Sequence, residues 1–305
     1  MRGKNWIAGI LLLGLCTALL CGCGSVKSAW TAARMGAALR DRPVTRAEGK
    51  LTAAVEGKNL GISSTAGLRM DFIMRGDPKT EKSYSELHTT VTMLGVDFPQ
   101  DYQIYQQAVE EKTAWYVHLQ EPDLWARTAV NWDSAMLYHL DPSVLLMLAG
   151  RASEQAQISR LEEKGDPSYR LQMNFSGEEI RDLMTAAGIK LPPEFLKADV
   201  TRIRVPVELV ISADTYLPRT MEIRVEGLEG GSLQSLLNPA GKHKMAAELT
   251  SAGLTLKITG FGYEPQQLPQ LPGEALAGAA RMEEVFGMLK KFLGGRQKEP
   301  GAYQP

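Results

Sequence analysis

The side chains that could support catalysis or metal binding do not stand in the patterns that those activities require. The four histidines, His88, His118, His139 and His243, are isolated, and none has the spacing of a metal ligand set. Residues 61–65 (GISST) lack the Gly-x-Ser-x-Gly elbow of a serine hydrolase. The chain also contains no P-loop, His-Glu-x-x-His or dinucleotide-binding motif. We therefore expect a protein that is not an enzyme and has no metal or cofactor.

Two acidic pairs remain as candidates for acid–base chemistry, Asp133 with Asp141 and Glu178 with Glu179. The second pair has a simpler explanation, because Ser176 and Glu179 have the spacing of a helix capping box. Carboxylates in the first turn of a helix interact favourably with the positive end of its dipole. These residues therefore predict a helix start rather than a catalytic site.

All three cysteines lie near the N-terminus, at positions 16, 21 and 23. Arg2 and Lys4 precede residues 6–22, which are apolar or small and carry no charge, as in an export signal. An uncleaved membrane anchor is the alternative, but this run is short for a span of about 20 residues. After cleavage before Cys23, the chain would have a single cysteine and no disulfide or cysteine metal site.

The end of this run predicts where the chain is cut and modified. Residues 20–23 (LCGC) resemble the bacterial lipobox, with an aliphatic residue three positions before Cys23 and a small residue directly before it. Cys16 and Cys21 each follow a leucine and fit less well. The resemblance implies that the thiol of Cys23 receives diacylglycerol before cleavage. We thus expect an extracytoplasmic protein that is anchored to a membrane through lipidated Cys23.

The charge balance limits the partners of the mature chain. The sequence has 34 basic and 35 acidic residues, and removal of Arg2 and Lys4 with the signal leaves 32 against 35. Nucleic-acid binding calls for a strongly basic surface, so we expect no nucleic-acid partner. No later stretch is long and apolar enough to cross a bilayer.

From residue 45 onward, apolar and polar residues alternate with a period of two. This pattern is typical of strands with one covered face, and the short connections favour an antiparallel sheet. Alternation is found in the segments 50–56, 66–75, 84–94, 102–109, 114–119, 169–175, 202–211 and 221–225. Residues 245–249 and 254–258 alternate too, and we expect them to form a hairpin around residues 251–253 (SAG).

Helices are predicted at both ends of the sheet sequence and between its strands. Residues 25–40, 144–149 and 180–187 have helical patterns, and residues 274–293 place Met282, Val285, Phe286, Leu289 and Phe292 on one stripe. This stripe, with nearby lysines and arginines, could pack on the domain or lie on anionic lipid. The expected organisation is a signal peptide (1–22), an anchor with a helix (23–44), a sheet domain (45–273), an amphipathic helix (274–294) and a disordered tail (295–305).

The whole arrangement resembles the LolA-like superfamily of bacterial lipoproteins, including the LppX/LprG type, over about residues 45–275. The likeness rests on the lipobox and on Tyr102, Tyr105, residues 114–116 (AWY), Trp125, residues 215–219 (TYLPR) and residues 271–275 (LPGEA). It implies an α+β fold in which a large, curved antiparallel β-sheet forms a half-barrel with helices on its concave side. In several such proteins the concave side encloses a cavity for acyl chains, as expected where burial of each methylene contributes roughly 0.8 kcal/mol.

The resemblance predicts a protein that binds or carries an apolar, lipid-like ligand. Methionine adapts to irregular partners, so the methionine-rich covered strand faces could form a pliable cavity, although a packed core would use the same residues. The residues expected to form the cavity wall are Leu68, Met70, Phe72, Met74, Met93, Met173, Val207, Leu209, Met221, Ile223 and Met245.

A second function fits the sequence as well. Trp115, Tyr116, Trp125, Trp132 and Tyr138 are close in sequence and could stack on cell-wall sugars or lie at a membrane interface. The alternative is then a non-enzymatic envelope scaffold with a closed core, which binds cell-wall glycan or an envelope protein. Packing of most of these rings against the sheet edge would argue against it.

Overall fold

Twelve strands of one open sheet, with three helices, make up the described part of the chain. The computed structural model describes residues 23–59, 62–77, 79–80, 82–109, 112–121, 123–131, 150–151, 156–163, 166–186, 199–230 and 248–281. Five features named above lie outside these residues: the predicted signal peptide, the predicted helix 144–149, Trp132, Tyr138 and the predicted tail.

The first half of the fold is a helix followed by a six-stranded meander. Helix α1 spans Cys23–Asp41. The strands that follow are β1 (Arg46–Asn59), β2 (Ile62–Asp77), β3 (Lys82–Met93), β4 (Val96–Val109), β5 (Lys112–Leu119) and β6 (Leu124–Asn131). Leu94 and Gly95 connect β3 to β4 with φ angles of 52° and 76°, as the tight turns of β-hairpins require.

The second half contains five long strands and two short helices. These elements are β7 (Gln157–Glu163), β8 (Asp166–Ser176), α2 (Gly177–Ala186), β9 (Arg204–Ser212), β10 (Pro218–Glu229), β11 (Glu248–Gly262), α3 (Gly273–Gly278) and the two-residue β12 (Ala280–Arg281).

The strand order is β12-β6-β5-β4-β3-β2-β1-β11-β10-β9-β8-β7, so the two halves join where β1 pairs with β11. All neighbours are antiparallel except β12, which runs parallel to β6. The large antiparallel sheet predicted from the sequence is confirmed, and it stays open, as in a half-barrel.

The period-two pattern positions one face of each strand against the core. In β9, the side chains of Val205, Val207, Leu209 and Ile211 are buried, and the exposed Arg204 alternates with them. This alternation lets a strand cover an apolar layer with one face while its other face remains in water.

The helices α1 and α2 pack on the same core as β8 and β9. Met35 and Leu39 of α1 have no solvent-exposed surface, and Leu183 of α2 is 4% exposed. The predicted capping box opens α2: the backbone N–H of Ser176 donates to Oε2 of Glu179 at 2.7 Å, and the N–H of Glu179 donates to Oγ of Ser176 at 3.2 Å. No helix among the described residues is long and apolar enough to cross a membrane.

Two sequence predictions differ from the structure. The hairpin expected around residues 251–253 is absent, because β11 continues through them and pairs Ser251 with Glu56 and Gly253 with Ala54 of β1. The helix expected from residue 274 ends at Gly278, after which Ala280 and Arg281 pair with β6. The rest of that predicted helix lies outside the described residues.

Candidate ligand-binding face

The sheet has an inner face, defined here as the face on which α1 packs, and an opposite outer face. Strand register aligns one inner-face residue of each of the eleven long strands in a central row. From β7 to β6 this row is Ile158, Leu171, Leu209, Met221, Ile258, Gly49, Phe72, Leu87, Tyr102, Leu119 and Leu124. This central row is therefore apolar across the full width of the sheet.

Gly49 keeps the central row continuous where the two halves of the sheet meet. A Cβ atom on Gly49 would lie 2.9 Å from Cζ of Phe72 and 2.2 Å from the carbonyl oxygen of Lys257. The Phe72 ring thus occupies the space over this glycine, and β1 and β11 approach closely behind it. Phe72 is 8% exposed and belongs to the buried core.

Helices cover the inner face unevenly. On the β7–β11 half, Leu171, Leu209 and Phe175 have no exposed surface, because α1, α2 and the residues that precede β9 pack over them. Among the described residues, the part of this half that lies under the helices is a packed core.

The β2–β4 half becomes progressively more exposed towards the β3–β4 turn. Leu68, Val91 and Phe98 form one cross-strand row on the inner face, and Phe98 at its end is 54% exposed. Met93 and Val96, one row further along, are 53% and 54% exposed. An apolar surface of this kind is unusual for a strand face that only stabilises a fold.

The predicted cavity-wall residues divide between these two environments. Phe72, Met173, Val207, Leu209 and Met221 lie in the buried core, and Met74 and Ile223 are partly buried against it. Leu68 and Met70 are half-buried on β2, and Met93 is mainly exposed. Met245 lies outside the described residues. The first group packs the protein interior, so the role of ligand wall remains a prediction that centres on Leu68, Met70 and Met93.

Polar residues that the sequence interpretation missed also lie on the inner face. Oγ of Ser83 donates to Oε1 of Gln106 at 2.6 Å, and both residues are buried. Thr89, opposite Met70, is 7% exposed, and its Oγ1 has no hydrogen-bond partner among the described residues. These residues follow the period-two alternation of β3 and β4. From the sequence, only this alternation could have indicated that they lie on the inner face.

Of the aromatic residues predicted as a stacking platform, Tyr116 of β5 and Trp125 of β6 lie on the outer face. Tyr116 is 4% exposed and packs with Ala114 and with Ala275 of α3. The half-buried Trp125 stacks on His118 at a ring distance of 4.4 Å and also contacts Tyr105. Trp115, in phase with Leu119 of the central row, is half-buried on the inner face. The C-terminal segment thus covers much of this aromatic cluster.

The titratable groups that the sequence suggested do not converge in the described part of the chain. His88 contacts Asp101 at 3.0 Å on the surface, and His118 contacts Asp123 at 2.6 Å. Among the described residues, no three His, Cys, Asp or Glu side chains are grouped so that they could hold a metal ion. His139, His243, Asp133 and Asp141 lie outside these residues.

Cys23, the predicted lipidation site, is the first residue of α1. No flexible tether therefore separates it from the fold in the described chain. Lipidation itself remains a prediction from the lipobox.

Comparison with known proteins gives structural neighbours only, since no family model and no curated protein matches the chain. LprF from Mycobacterium bovis is 11% identical with a TM-score of 0.39, over 83% of this chain and 100% of that chain. A DUF1329 family protein from Desulfovibrio piger is 10% identical (TM-score 0.22; 80% and 95% covered). A LolA superfamily protein from Nitrosomonas europaea is 10% identical (TM-score 0.17; 79% and 94% covered). The neighbours thus include a LolA superfamily protein, as the resemblance of the sequence predicts.

Proposed function

We propose that this chain is a non-enzymatic, extracytoplasmic lipoprotein, anchored through Cys23, that binds or carries a lipid-like ligand on the inner face of its sheet. The observation that carries the proposal is the apolar inner face of β2–β4, where Met93, Val96 and Phe98 remain more than half exposed. An acyl chain that covers this surface gains roughly 0.8 kcal/mol for each methylene removed from water. Ten such methylenes would contribute roughly 8 kcal/mol before the unfavourable entropy of binding is subtracted.

The polar residues of the same face favour an amphipathic ligand over a pure hydrocarbon. Along β3 the inner-face positions change from Ser83 and Ser85 to Val91 and Met93 as the strand approaches the turn. Thr89 lies between these groups, and its hydroxyl could donate to an ester or headgroup oxygen. Such a bond would satisfy a buried polar group that otherwise destabilises the protein.

The alternative, a scaffold that binds glycan through its aromatic rings, has less support. A sugar-stacking platform needs exposed ring faces, whereas Tyr116 is buried and Trp125 packs against His118. Trp132 and Tyr138, the other candidates, lie outside the described residues.

The experiment is native mass spectrometry with lipid extraction on residues 24–305, exported by a bacterial host without the anchor. We expect a co-purifying lipid in near one-to-one amount. A clean apo mass that stays unchanged after incubation with host lipids would contradict the proposal and favour the scaffold.

Two neighbouring positions on β3 provide a matched pair of variants. Val91 and Thr90 are both half-buried, but Val91 lies on the inner face and Thr90 on the outer face. Val91→Lys places an ammonium group against the acyl chain, and we expect at least about a tenfold loss of bound lipid, because an unpaired charge is strongly disfavoured next to hydrocarbon. Thr90→Lys should retain the lipid. Equal retention by both variants would place the ligand elsewhere.

A further inference from the structure

The surface of α1 opposite its buried side has an unusual composition. Ala32, Met35 and Leu39 are buried against the core, whereas Lys27, Trp30, Ala33, Arg34, Ala37 and Arg40 are exposed. This second set is called the outward face of α1. It contains three cations, and the only acidic residue of α1 is the exposed Asp41 at its end. The mature chain as a whole carries an excess of acidic residues, so the outward face is a local basic surface.

Trp30 is held in an exposed position on this face. It is 50% exposed, and its ring meets that of Tyr216, in the β9–β10 turn, edge-on at 5.4 Å. The Arg34 guanidinium lies 5.0 Å from the Trp30 ring and 5.3 Å from the Tyr216 ring. These contacts fix α1 to the sheet at the end that carries Trp30 and keep the indole at the surface.

The position of Trp30 and the neighbouring basic residues relative to Cys23, the predicted anchor, indicates which partner they would bind. Trp30 lies seven residues, or about two helical turns, after Cys23 on α1. At 1.5 Å per residue, this separation is about 10 Å. Tryptophan prefers the interface between lipid headgroups and water, and basic side chains are attracted to anionic lipids. An acylated Cys23 at the start of a helix that is fixed to the fold would hold this face close to the bilayer.

We propose that the outward face of α1 docks on an anionic membrane surface, with Trp30 at the headgroup level and Lys27 and Arg34 against lipid phosphates. This inference rests on the proposed anchoring through Cys23 and adds an orientation to it. The lipid alone would leave the domain free to rotate, whereas the helix contact fixes which side of the domain lies on the bilayer.

The test uses the full-length lipoprotein, purified with its anchor and reconstituted in vesicles of phosphatidylcholine, with or without phosphatidylglycerol. A polarity-sensitive dye is attached at Ala33→Cys on the outward face of α1, since acylated Cys23 does not react. A second preparation carries the dye at Gln172→Cys, an exposed site on the outer face of β8. We expect a blue shift and quenching by spin-labelled lipid only for the dye at position 33, and more strongly with phosphatidylglycerol.

Charge variants separate this docking from the anchor. Each basic residue near an anionic surface strengthens binding by about fivefold, so Lys27→Glu with Arg34→Glu should weaken docking at least about 25-fold. The control is Lys58→Glu with Lys82→Glu, an equal charge change at exposed lysines of β1 and β3, which should leave the dye signal unchanged.

The outcomes distinguish docking from anchoring. Vesicle flotation with an aqueous dye signal at position 33 would overturn the docking proposal and leave the anchor intact. A protein mass without acyl chains on Cys23 would overturn the anchor and, with it, the docking. An equal loss of signal in both charge variants would show a nonspecific charge effect and would also overturn the proposal.

Discussion

Replacing Gly49 with alanine tests how tightly β1, β2 and β11 pack at the centre of the sheet. The new Cβ would lie 2.2 Å from the carbonyl oxygen of Lys257, 2.9 Å from Cα of Ile258 and 2.9 Å from Cζ of Phe72. Two of these atoms belong to the backbone and cannot move by rotation of a side chain. The variant must therefore shift β11 relative to β1, and the Phe72 ring must move as well.

The expected loss of stability follows from two opposing effects. Overpacking destabilises by about 1–3 kcal/mol, and the backbone contacts place Gly49→Ala at the upper end of that range. Alanine recovers about 0.5–1 kcal/mol, because glycine in a strand loses more conformational entropy on folding. We expect a net loss of about 2 kcal/mol in the free energy of unfolding, or a fall in Tm of about 4–8 °C for a domain of this size.

The assay is urea unfolding followed by circular dichroism, with Gly253→Ala as the matched control. Gly253 lies on β11, opposite Ala54 of β1, and a Cβ there would meet nothing within 4 Å. This control should be neutral or up to about 1 kcal/mol more stable than the unmodified protein. Equal stability of the two variants would refute the close approach at Gly49.

Two further predictions concern a helix start and an ion pair. Glu179→Ala should destabilise the protein by about 1 kcal/mol, because it removes the capping contact with Ser176. Glu178→Ala, in the same turn, should lower the free energy of unfolding by only about 0.3 kcal/mol. Equal urea midpoints for the two variants would contradict the capping role of Glu179. Hydrogen bonds from Arg219 hold the pKa of Asp166 below its ordinary value of 3.8. The stabilisation that these bonds provide is therefore present above pH 3.8. It is lost as the pH falls through the lower pKa of Asp166 in the folded state. Asp166→Asn should therefore reduce the difference between urea midpoints at neutral and acid pH, and an unchanged difference would show that the pair does not contribute to acid unfolding.

The sequence predicted the strands well, because one-sided burial leaves a visible trace in each of them. In β8, Leu171, Met173 and Phe175 are buried and alternate with the exposed Gln172 and Asn174, so periodicity alone identifies the element. The same reasoning failed at residues 251–253. Ser, Ala and Gly in succession are typical of a turn, but pairing with β1 on one side and β10 on the other extends the strand through them.

The candidate site was predictable only as a face. Alternation places Leu209 and Met93 on the same side of the sheet, but Leu209 is fully buried and Met93 is 53% exposed. The difference arises because α1 and α2 pack over one half of the sheet, and strand periodicity contains no information about where a helix crosses. The hydroxyl of Thr89 was missed for a related reason, since a threonine in a strand is ordinary until its surroundings are known.

The pairing of β1 with β11 has a consequence for how the chain folds. Leu51 of β1 pairs with Leu256 of β11, which lies about two hundred residues later in the chain. Most other pairings connect strands that are neighbours in sequence. Local hairpins form quickly and distant pairings form slowly, because a long loop must close first. We expect the two meanders to form early and the pairing of β1 with β11 to form last. Until β11 is available, β1 presents an unpaired edge of the kind on which chains aggregate, so we expect the newly made chain to be most prone to aggregation in this interval.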